Sequence, residues 1–148
     1  MLFIKKHNLV SDKPIDIVRN DLKSPTTKLT VTQLSETKLY GYMQNTHGKG
    51  YNIISVIDLK EKADRKTIIE IKNEFDLLTN LFLIATFVGL WGVAIYKLTN
   101  GADILSFELI LMLTFPIIGV LITKSSFEIY EKRLMKIYSA LLKNEKPN

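Results

Sequence analysis

The sequence predicts a membrane α+β protein. It would have a small N-terminal α/β domain of one short helix and about five mostly antiparallel strands, a two-helix transmembrane hairpin, and a C-terminal amphipathic helix. Three observations predict it. Two unbroken apolar stretches of about 20 residues run from Leu77 to Tyr96 and from Ile104 to Thr123, parted by the connector 97–103. Ahead of them, apolar and polar residues alternate with period two between Leu29 and Phe75. Behind them, apolar residues return at helical spacing. The boundaries are therefore 1–76 for the polar domain, 77–123 for the hairpin and 124–148 for the tail.

Each apolar stretch is long enough to cross a hydrocarbon core of about 30 Å, where only a helix satisfies its own N–H and C=O groups. The opening Met1-Leu2-Phe3-Ile4-Lys5-Lys6 is too short in apolar residues for a signal peptide, so the first span is expected to act as its own targeting signal. Lys60, Lys62, Arg65, Lys66 and Lys72 precede the first span closely. Lys124, Lys132, Arg133, Lys136 and Lys143 follow the second, while the connector carries only Lys97. By the positive-inside rule both termini are expected in the cytoplasm, with the protein in the inner (plasma) membrane. The excess of 17 lysines over 3 arginines suits a bacterial source with an AT-rich genome.

Within the polar domain, Leu2 to His7 can open a sheet. Ser11-Asp12-Lys13-Pro14 reads as a helix start, Ile15, Val18 and Leu22 as one apolar face, and Ser24-Pro25 as the stop. Strands follow at Leu29–Leu34, Tyr40–Met43, Ile53–Asp58 and Thr67–Phe75. Ser35-Glu36-Thr37 and Asn45 to Gly50 form the turns of antiparallel hairpins, and Lys60 to Lys66 forms a charged loop. One short helix cannot cover both faces of such a sheet. The tail has the next apolar stripe, Phe127, Tyr130, Leu134, Ile137, Tyr138, Leu141 and Leu142, on a helix expected to continue the second span. That stripe has three destinations open to it: the uncovered sheet face, a second copy or another subunit, or the headgroup layer, the last weakened by the mixed charge of its polar side. Glu128 and Lys132 are spaced for an ion pair.

Net charge is +5, but residues 1–76 carry 13 basic against 10 acidic residues, dispersed, which argues against nucleic acid as a partner. There is no cysteine, and His7 and His47 stand 40 residues apart without patterned ligands, so no metal or cofactor is expected. Gly48-Lys49-Gly50 lacks a phosphate-loop frame and reads as a turn. Asp58, Glu61 and Asp64 alternate with lysines and lack the ligand density of a calcium loop. Tyr40, Tyr42 and Tyr51 read as sheet packing. No nucleophile–base pairing is discernible, and the chain is not expected to be an enzyme.

Glu108 is the one ionisable residue inside a predicted span and the candidate intramembrane polar site. Lying about 6 to 7 Å in from the outer end, it is close enough to reach the interface. Asn80, Thr86 and Thr114 are the other polar residues of note there. Ala85, Gly89 and Gly92 make a small-residue strip, a candidate helix-packing face for the second span or for a second copy. Pro116 should kink the second span, and Trp91 and Tyr96 suit the outer boundary as anchors. The leading expectation is a membrane-anchored cytoplasmic interaction or scaffold module. Its partners would be the lipid bilayer and a homo-oligomer or other membrane-complex subunits, and Phe127, Tyr130, Leu134, Ile137 and Leu141 would form a candidate partner-binding tail. The alternative is a subunit of a pore, transporter or proton-linked complex using Glu108.

Overall fold

The computed structural model describes residues 3–24, 26, 29–43, 52–62, 65–101 and 106–143. Pro25, Asn45 to Gly50 with His47, Tyr51 and Asp64 lie outside the described residues. The chain divides into two compact units, Met1–Asp76 with Phe127–Asn148, and Leu77–Ser126.

The first unit is built on a five-stranded antiparallel sheet. Its strands are β1 (Ile4–Ser11), β2 (Leu29–Gln33), β3 (Lys38–Met43), β4 (Ile53–Lys62) and β5 (Lys66–Phe75), in the order β1-β5-β4-β3-β2. Strands β2 to β5 are the expected meander, and β1 adds to its β5 edge, pairing Ile4 with Glu74 and Ser11 with Thr67. Because β1 and β2 hold opposite edges, the chain between them must cross the sheet. That crossing contains helix α1 (Ile15–Leu22), which lies over β4 and β5. Pro14, with its fixed φ, stands at the α1 N-cap, and Val18 and Leu22 are fully buried.

Two expectations shift. Strand β1 runs on to Ser11, beyond the predicted His7, because its whole length finds backbone partners on β5. The charged stretch after Ile57 is not a loop. Asp58, Leu59, Lys60, Glu61 and Lys62 continue β4 and pair with Glu70, Ile69, Ile68, Thr67 and Lys66. Arg65, immediately before β5, has a φ of 59°, in the left-handed region. The charges sit on a strand end, with Lys60 bridging Glu70 at 2.6 Å.

Register divides the sheet into two unlike faces. On one, Leu39, Ile53, Ile57, Leu59, Ile69, Ile71 and Phe75 are buried to within a few per cent. On the other, the alternate residues are exposed or half-buried, among them Val10, Tyr40, Ile54, Val56 and Ile68, with Glu74 the buried exception. This alternation is what period-two patterning produces when only one face meets helices.

The second unit holds α2 (Leu77–Thr99) and the first part of α3 (Phe107–Lys143). Both helices are long and apolar enough to cross a membrane. Helix α2 ends with Asn100 Nδ2 donating to the Tyr96 carbonyl at 2.8 Å and with Gly101 at φ +82°, a left-handed terminator. Helix α3 starts at Phe107 and runs through Pro116 into the tail as one 37-residue helix.

Candidate functional site

The tail part of α3 packs on the same face of the sheet as α1. Its contacts with the strands land on residues of that face: Lys5 and His7 of β1, Asn73 and Phe75 of β5, Ser55 of β4 and Gly41 of β3. Phe127, Leu134, Ile137 and Leu141 are thereby buried, Tyr138 is fully buried, and Tyr130 is half-buried. Of the three destinations open to the stripe, the uncovered sheet face is the one it takes. Its apolar side chains lie against the chain's own sheet, which removes them from water. The sheet face left over stays open. Among the described residues no ion pair joins Glu128 to Lys132.

Three groups anchor this seam. At one end Phe3, Phe75 and Phe127 cluster, with Phe75 edge-on to Phe127 at 4.9 Å between centroids. In the middle, the Glu131 carboxylate is held between Lys5 Nζ, at 3.2 Å, and His7 Nε2; its side chain is 2% exposed, against 42% for Lys5 and 29% for His7. At the far end the Tyr138 hydroxyl reaches the sheet over Gly41, beside Ser55. Gly41, Ser55 and Asn73 are cross-strand neighbours, so they form one polar rung beneath the helix. Ser55 Oγ donates to Asn73 Oδ1 at 2.6 Å, and Asn73 Nδ2 donates to Met135 Sδ at 3.6 Å. Burial pushes the Tyr138 hydroxyl pKa well up, opposed by its contact with Ser55. Lys13 Nζ closes the helix end, donating to the Leu142 carbonyl at 2.8 Å and bridging Asp21 at 2.7 Å.

Sequence reasoning placed Tyr138 in the apolar stripe but missed Gly41 and Glu131 as structural anchors, although a signal was present for both. A glycine inside a strand marks close approach of another group. Glu131 shares the 4-3-4 spacing of Phe127, Leu134 and Tyr138, which places it on the inward face.

On the open face Tyr40 and Tyr42 are half-buried. The Tyr40 pKa is raised, first by burial and then by the neighbouring Asp76, Tyr42 and Glu74 charges. Lys38 bridges Asp58 at 3.6 Å and Lys72 bridges Glu74 at 2.7 Å, so acids and bases there are largely paired.

In the second unit, Glu108 is the second residue of α3, largely exposed, and ion-paired to Lys97 of the last α2 turn. Thr86 and Thr114 donate to the carbonyls four residues back, Phe82 and Ile110, satisfying themselves within their own helices. Asn80, Leu83 and Ala94 are the buried residues of α2. Ala85, Gly89 and Gly92 lie elsewhere on the helix, exposed, and a Cβ at Gly89 or Gly92 would meet nothing within 4 Å. The strip is therefore not the surface on which α3 packs. Phe87, Val88, Trp91, Pro116, Ile117 and Val120 line an apolar cleft of about 270 Å³. No group of three or more potential metal ligands occurs among the described residues. Compared with known families, characterised proteins and solved structures, the chain matches none.

Proposed function

We propose that the chain is a membrane-anchored scaffold, in which the α2–α3 hairpin inserts into the bilayer and the sheet unit stands on the cytoplasmic side as a non-enzymatic interaction module. One observation carries this. Only 17% of the most apolar window of either long helix is buried, and large apolar side chains such as Phe82, Val88, Trp91, Phe115, Ile118 and Ile122 stand at least half exposed. A buried core helix of a soluble protein would hide such residues, and an aqueous surface of this size would aggregate. Lipid is the solvent that suits them.

Two further observations support the arrangement. Residues from both sides of the hairpin, Lys5 and Glu131 among them, meet in one compact unit, so a single compartment must hold both. The exposed sheet face and the free edges of β1 and β2 leave the unit with unpaired surface for a partner. The pore or transporter reading relies on Glu108, a carboxylate already neutralised by Lys97 near one end of the hairpin. In the test, membranes from expressing cells are washed with alkaline carbonate and then extracted with mild detergent. The protein should resist the wash and require the detergent; release into the wash would overturn the anchored reading.

A further inference from the structure

We draw no further inference here: the strongest candidate, the sheet face turned away from α1 and the tail, where Tyr40, Tyr42, Ile54 and Val56 are half-buried, carries none because nothing in the structure shows what covers it.

Discussion

At the residue scale, two contacts decide whether the tail stays on the sheet. A Cβ built on Gly41 would lie 2.1 Å from the Tyr138 hydroxyl, a distance no packed pair tolerates, and Tyr138 is fully buried with no room to withdraw. Gly41→Ala should cost about 1–3 kcal/mol in thermal or denaturant unfolding. Adding Tyr138→Phe should recover part of that loss, since the clash is with the hydroxyl; no recovery would show that the glycine serves β3 alone. The second contact is asymmetric. Removing both Lys5 and His7 as alanines strands a carboxylate that is 2% exposed and should cost about 3 kcal/mol. Glu131→Gln leaves two partly exposed bases that can rehydrate and should cost about 1 kcal/mol. Denaturant midpoints that rank the other way would refute this account. Tyr138 also sets an alkaline limit. Its folded-state pKa is raised above the ordinary value of 10.0, so the folded chain holds that proton more tightly than the unfolded one. The resulting stability is full below pH 10 and lost as pH climbs beyond it. The fall in unfolding midpoint between pH 9 and pH 11 should be smaller in Tyr138→Phe than in the parent chain.

At the element scale, periodicity made the strands and helices legible and left their partners open. The meander, α1 and the two apolar helices fall where alternation and helical spacing put them, because each pattern reports which side of an element must leave water. Lys60, Glu61 and Lys62 suggest a loop yet end β4, because a strand end exposed on both faces can be charged and still share its backbone hydrogen bonds. The tail's destination was illegible for another reason. One apolar stripe fits any apolar surface, and nothing in the spacing says that the stripe will join α1 on the same face and leave the other bare. The strip at Ala85, Gly89 and Gly92 is similar, since small residues signal close approach but not by what. With open space beyond both glycines, Gly89→Ala and Gly92→Ala should leave the detergent-solubilised protein as stable as before, or more stable by about 0.5–1 kcal/mol per site from helix propensity. A lower melting temperature in either variant would show that another surface, a second copy included, does approach them.

At the scale of the whole molecule, the folded arrangement of the sheet unit bears on topology independently of charge counting. The positive-inside rule assigns both ends to the cytoplasm from lysines and arginines alone. The buried Glu131 and Tyr138 contacts ask only that both ends share one side of any membrane the hairpin crosses, whichever side that is, since β1 and the tail cannot meet across it. The absence of cysteine makes this directly measurable. Single cysteines at the exposed positions Asn8, Thr99 and Lys136 can each be probed in intact cells with a maleimide that does not cross membranes. Cysteine at position 99 should label at once, and those at 8 and 136 only after the cells are permeabilised. Labelling of 8 and 136 but not 99 would reverse the orientation while keeping the fold. Labelling of only one of the two would separate β1 from the tail, and the five-stranded unit could not then exist as a single body in the membrane-bound protein.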